Sequence, residues 1–194
     1  MLSEIAIHLA YMVQSPDDVE LLTQFKEEAT KEKAFTAILK KYQEKLYWHI
    51  RRMVVEHEDA NDVLQNMFVK AWKGLANFRE DSQLYTWLYR IATNESLTFL
   101  EQQKKRSTVS MSDEESGLSN KVKADSNFDG NKLEWKLQLA VQKLPEKQKA
   151  VFNLRYFEEM PYAEMSTVLE TSEGALKASY HHAVKKIEDY ILNN

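Results

Sequence analysis

At 194 residues, with a formal net charge of −4 and no cysteine, the chain can form one domain or two small ones, and disulfides and thiolate metal sites are excluded. Four glycines, three prolines and long stretches without a breaker point to a mostly helical protein. No basic residue precedes Lys26, and the apolar run from Met1 to Val13 is short of the ~20 residues of a membrane span, so neither a secretory signal nor a transmembrane helix is expected.

Residues 1–16 form an apolar leader of unassigned role, read as a loosely ordered start. Asp17 and Asp18 open a helical run through Val19, Leu21, Leu22 and Phe25, with the acidic side chains favourably placed at its start. From Ala34 to Val55, Phe35, Ile38, Leu39, Tyr42, Leu46 and Ile50 step by three or four and make one amphipathic stripe. His49, Arg51 and Arg52 gather near its end, where cations are favourable with or without a partner. The helix expected from Asp59 to Leu75 has a broad core face of Val63, Leu64, Met67, Phe68, Ala71, Trp72 and Leu75. Opposite lie Asp62, Gln65, Asn66 and Lys73.

A polar loop from Phe78 then leads into a helix for which Ser82 is the expected cap. Leu84, Leu88, Ile91, Ala92 and Phe99 give it a core face, and Thr86, Arg90, Thr93 and Asn94 are expected to point away from it. Phe78, Tyr85, Trp87 and Tyr89 are interleaved with Arg79 and Arg90. Cations neutralise phosphates and flat rings stack on unpaired bases, so this mixture suits single-stranded nucleic acid. Packing of the same aromatics into a core is the competing reading, and composition alone favours it. The helix runs out near Gln102 into Lys104, Lys105 and Arg106. Residues 107–130, rich in Ser, Asp, Glu and Asn, read as a flexible linker that leaves the two domains tethered rather than packed together.

A second helical unit starts at Leu133, and Leu144-Pro145-Glu146 marks a new helix at Pro145. Met160-Pro161 ends it. A short helix from Tyr162 to Leu169, a turn at Glu170-Thr171-Ser172 and a longer helix from Glu173 to about Ile191 form a helix-turn-helix, with Ser172 as the cap of the second helix. Leu176, Tyr180, Ala183, Val184 and Ile187 face inward, whereas Ala178, His181, His182 and Lys185 face out with Lys177 on the flank. The charge is unevenly spread. Residues 35–106 carry 12 basic and 9 acidic side chains, the segments before and after them are acidic, and residues 131–194 are balanced at 9 of each. Such a neutral C-terminal unit is expected to bind DNA weakly alone. No phosphate-cradling Gly-rich loop is present, His57-Glu58 lacks the second His of a zinc-protease helix, and no nucleophile with its base can be assembled. Neither an enzyme nor a bound cofactor or metal is expected.

Three ordered sets of residues resemble the extracytoplasmic-function sigma factors of bacterial RNA polymerase. Phe78-Arg-Glu-Asp-Ser82 with Thr86-Trp-Leu-Tyr-Arg-Ile-Ala-Thr-Asn94 resembles their promoter-melting segment. The run from Asp59 through Asp62, Gln65 and Phe68 to Trp72 resembles the polymerase-binding helix of sigma domain two. Leu144-Pro-Glu-Lys-Gln148, Leu154-Arg-Tyr-Phe157 and Ser172-Glu-Gly-Ala-Leu-Lys177 resemble sigma domain four, which reads the minus-thirty-five element.

The resemblance implies an all-α cytoplasmic protein of two small helical domains joined by a flexible linker: domain two over 17–106, the linker over 107–130 and domain four over 131–194. It implies RNA polymerase core and promoter DNA as partners, and admits an anti-sigma factor. Asp59, Asp62, Gln65 and Asn66 would contact polymerase. Phe78, Arg79, Ser82, Gln83, Tyr85, Trp87, Arg90 and Asn94 would hold the minus-ten element, with the Phe78–Tyr85 loop capturing a flipped base. Ser172, Lys177, Ala178, Ser179, His181, His182 and Lys185 would face the minus-thirty-five element. Departures from the pattern are Asn66, where Glu is common, Glu170, where Gly is common, and Ser179 and His182, where Arg is frequent, so base preference does not carry over. The alternative is a helical interaction module, a sigma mimic that binds polymerase or a regulator without reading a promoter.

Overall fold

A computed structural model describes residues 16–107 and 132–193, which form eight helices and no strand. The leader before Pro16 and the linker after Ser107 lie outside the described residues. Helix α1 (Pro16–Lys26) starts with proline in its first turn, where the missing N–H costs nothing. Asp18 does more than complement the helix dipole. It is buried, and it accepts hydrogen bonds from Lys41 Nζ at 2.8 Å and Tyr42 OH at 2.7 Å, pinning α1 to α2 (Lys31–Val54).

The stripe expected on α2 is its buried face, with Ile38, Tyr42, Leu46 and Ile50 all inside. Val55 ends the helix at φ 74°, an unusual conformation for a β-branched residue, and only Val55 and Glu56 separate α2 from α3 (His57–Leu75). Ala60, Val63, Met67, Ala71 and Leu75 of α3 are buried. Trp72 closes the junction of three helices, its ring 5.3 Å from Phe25 and 5.0 Å from Phe35, both edge-on, with Lys31 Nζ 5.4 Å over the indole.

Helix α4 (Leu84–Ser107) begins one residue later than a Ser82 cap implies. The Gln83 carbonyl accepts the first helical hydrogen bond, from Trp87 N at 3.1 Å, so Gln83 holds the cap position. In the C-terminal unit, α5 (Lys132–Gln142), α6 (Glu146–Tyr156), α7 (Tyr162–Leu169) and α8 (Glu173–Asn193) surround a small core of Ala140, Val141, Leu144, Phe152, Ala183 and Ile187.

That small core leaves a second apolar face uncovered, and its occupant corrects the expectation that the two units are merely tethered. Ala150, Val151, Leu154, Met160, Met165, Val168 and Leu176 join one continuous core with Ile50, Met53, Leu84, Leu88 and Ala92 of the N-terminal unit. Helix α7 packs along α4, and α6 packs on α2 and α4. Linker composition describes the linker alone, whereas these faces bury apolar area wherever a complementary surface is in reach.

Candidate nucleic-acid interface

On α3 the buried stripe leaves Asp62, Gln65 and Asn66 exposed and Asp59 half-buried on one polar face. Tyr47 OH lies 2.7 Å from His57 Nδ1, and Asn61 Nδ2 lies 3.1 Å from His57 Nε2, so the start of this helix is tied to α2. Lys70 of α3 forms an ion pair with Glu95 of α4.

Residues 76–83 form the loop between α3 and α4. Asn77 N donates to Gly74 O at 3.0 Å and Phe78 N to Leu75 O at 3.2 Å, so the chain leaves α3 in a tight turn. Glu80, in the left-handed region at φ 60°, pairs with Lys26 of α1 at 3.0 Å. The Phe78 ring packs 5.2 Å from Trp87, and a Cβ at Gly74 would meet Trp87 Cζ2 at 3.0 Å. The indole thus lies on a bare stretch of backbone. An isolated glycine near a helix end reads as a stop signal, and the neighbour it makes room for has no local signature. Arg79 is exposed, and Ser82, Gln83 and Tyr85 are half-buried.

On α4, Thr86 and Thr93 depart from the expectation that they point away from the core: both are buried. Thr93 Oγ1 lies 2.9 Å from His49 Nε2 of α2, and Thr86 Oγ1 donates to Glu164 Oε2 of α7 at 3.0 Å. Each hydroxyl keeps a hydrogen bond, so burying it costs little. His49 is fully buried, and desolvation, helped by the Arg52 cation, pushes its pKa down to about 3, so the ring is neutral at pH 7. Tyr85 lies 4.6 Å from Tyr89, Arg90 is ion-paired with Glu170, and Asn94 is exposed. The structure therefore brings Phe78 to Trp87 and Tyr85 to Tyr89, leaves Arg79 and Asn94 in solvent, and engages Arg90 elsewhere.

Ser172 caps α8 as its sequence position implies: Ala175 N donates to its Oγ at 3.4 Å, and Leu176 N to its carbonyl at 3.0 Å. Leu176, Ala183 and Ile187 are buried, and Tyr180 stacks on Phe152 at 5.8 Å. The opposite face shows Lys177, Ala178, His181, His182 and Lys185 to solvent, with Ser179 half-buried at its edge. Glu170, at φ 50° and ψ 41°, ends α7 in the left-handed conformation that favours glycine and turns the chain into α8. Among the described residues no cluster of acidic or histidine side chains could hold a metal, and no helix is long and apolar enough to cross a membrane.

The description Sigma-70 region 2 matches residues 38–106, and Sigma-70, region 4 matches residues 134–187. The RNA polymerase sigma-H factor of Pseudomonas aeruginosa is 32% identical over 164 residues, which cover 80% of this chain and 85% of that protein. The ECF RNA polymerase sigma-E factor of Escherichia coli K12 is 31% identical over 170 residues, covering 82% and 87%. The chain belongs to the extracytoplasmic-function sigma factors. It is therefore a transcription initiation factor that directs RNA polymerase to promoters, and not an enzyme. Its fold is that of CnrH, solved in complex with the cytosolic domain of CnrY, with a TM-score of 0.67 at 21% identity over 92% of this chain and 99% of that one. It is also similar to RpoE of Bartonella quintana, solved in complex with the anti-sigma factor NepR, with a TM-score of 0.62 at 19% identity over 82% and 97%.

Proposed function

We propose a division of this sigma factor's work among three faces, with 17–106 as domain two and 131–194 as domain four. Asp59, Asp62, Gln65 and Asn66 on α3 dock on polymerase core. The loop from Phe78 to Tyr85, with Arg79, Ser82 and Gln83 as hydrogen-bonding groups, receives a base flipped from the minus-ten element, and Trp87, Arg90 and Asn94 line the path of the separated strand. A flipped base loses a few kcal/mol of stacking and pairing, which aromatic walls and polar groups recover.

Ser172, Lys177, Ala178, Ser179, His181, His182 and Lys185 meet the minus-thirty-five groove. The observation that carries this reading is the two-sidedness of α8: one face is fixed in the core by Leu176, Ala183 and Ile187, and the face with both histidines and Lys185 is open to solvent. A recognition helix needs both. Because RpoE of Bartonella quintana was solved with the anti-sigma factor NepR, an anti-sigma factor is included among the partners proposed here.

The test is runoff transcription together with a pull-down on core polymerase. Changing Asp62 and Gln65 to Ala should weaken core binding without loss of helical circular dichroism, while changing His181 and Lys185 to Ala should leave core binding intact and lower promoter-directed transcript. Unchanged core affinity in the first variant, or unchanged promoter use in the second, removes the corresponding face from the scheme.

A further inference from the structure

Apart from the three proposed faces, one cavity holds a side chain out of keeping with its surroundings. The cavity has a volume of about 280 Å³ and lies between the end of α2, α4 and the turn from α5 into α6. Met53, Val54, Leu100 and Leu144 supply apolar walls, and Lys149 stands among them only 6% exposed. A lysine is almost never buried so far without an ionic partner. Here Nζ donates instead to the neutral Gln142 Oε1 at 2.7 Å, and Gln142 Nε2 donates in turn to the Arg52 carbonyl at 2.8 Å. Glu146, one turn earlier on α6, is held by Lys104 of α4, with 2.7 Å between Nζ and Oε1.

These neighbours act on the charge of the amine. Burial lowers the Lys149 pKa most, the Glu146 carboxylate restores part of it and the Lys104 cation lowers it further, which leaves it at about 8 against an ordinary 10.5. At pH 7.5 about a quarter of such an amine is unprotonated, against about 0.1% of an ordinary lysine. A desolvated lysine in an apolar pocket is an activated nucleophile. The Lys104 side chain is 72% exposed, so its cation faces solvent at the rim as well as Glu146.

We propose that Lys149 is a modification site, acylated by a small acyl phosphate that enters this cavity past Lys104. The unprotonated amine attacks the acyl carbon. An N–C bond forms, the C–O bond to phosphate breaks, inorganic phosphate leaves, and the proton released by the nitrogen goes to phosphate or water. The product amide keeps one N–H for Gln142 Oε1 and gives up the buried charge, while an acetyl methyl meets the apolar walls. The volume is just under the ~300 Å³ at which small-molecule sites begin, which suits a two-carbon acyl phosphate and not the nucleotide body of coenzyme A.

The test incubates the full chain with acetyl phosphate at pH 7.5 and follows each lysine by peptide mass spectrometry. Lys147, exposed and two residues away, is the internal reference. Lys149 should be acetylated at least tenfold faster than Lys147 in the folded chain, and at the same rate once urea has unfolded it. The Lys149 rate should level off above about pH 8, whereas that of Lys147 should keep climbing. Lys104→Gln removes the guiding cation and leaves Glu146 to hold the Lys149 proton, so it should slow Lys149 several-fold without changing Lys147. Equal rates at the two lysines in the folded chain, or a preference that survives unfolding, refute the site. An unchanged Lys149 rate in Lys104→Gln, or an equal preference for Lys149 with acetyl-CoA, refutes the acyl phosphate as donor.

Discussion

His49 makes the attachment of α4 to α2 sensitive to acid. Its ring sits fully buried, 5.1 Å from Tyr89 with Nε2 on Thr93, and Nδ1 has no hydrogen-bond partner. Protonation would place a second cation beside Arg52 without water to solvate it, which is why the folded-state pKa falls to about 3 from 6.5. A depressed folded-state value means that the unfolded chain takes up the proton first. The stabilisation is thus complete above pH ~6.5 and is lost as pH falls towards 3. Each pH unit in that window costs about 1.4 kcal/mol, so this residue alone removes about 2 kcal/mol between pH 7 and pH 5. Other groups titrate too, and the comparison that isolates His49 is with His49→Gln, whose amide can still meet the Thr93 hydroxyl but does not titrate. Urea unfolding followed by circular dichroism should show the wild type losing about 2 kcal/mol more than the variant over that range. An equal loss in both proteins would mean that the ring is solvated and that the burial argument is wrong.

Trp72→Ala should destabilise the N-terminal unit by about 3–5 kcal/mol in the same assay, because Phe25, Phe35 and the Lys31 stem lose their common partner. Gly74→Ala should cost about 1–3 kcal/mol of overpacking against Trp87, less the ~1 kcal/mol that alanine returns to a helix, and should shift the loop that carries Phe78. An unchanged urea midpoint together with normal strand opening, read by permanganate footprinting, would show that the indole has room to move.

What could be read from the chain was set by range. The α3 stripe, the α2 stripe and the two faces of α8 are periodic within a few turns, and apart from Leu39 on α2 the positions expected inside are the ones buried or packed against the core. Thr86 and Thr93 were misplaced because the groups that make their burial tolerable, Glu164 and His49, stand 78 and 44 residues away. A threonine on a helix looks solvent-facing until its partner is known. Docking of the two units was illegible for a related reason. Met165 and Val168 show that α7 has an apolar side, but nothing near them in sequence names α4 as the surface they cover. Gln83 rather than Ser82 at the start of α4 is a one-residue slip of the kind expected where a backbone carbonyl, and not a side chain, makes the decisive bond.

The ion pairs that join the two units, Arg52 to Glu158 and Arg90 to Glu170, also bear on ionic strength. A protein that meets phosphates with free lysines and arginines loses affinity in proportion to the counterions it releases from DNA, and raising salt only weakens it. Here Arg52 and Arg90 already carry carboxylate counterions built into the same chain. Salt screens those internal pairs as well as the phosphate contacts, so it releases these cations while it weakens binding, and the two slopes oppose each other. Affinity of the free chain for a single strand should therefore fall less steeply with salt than its number of phosphate contacts implies.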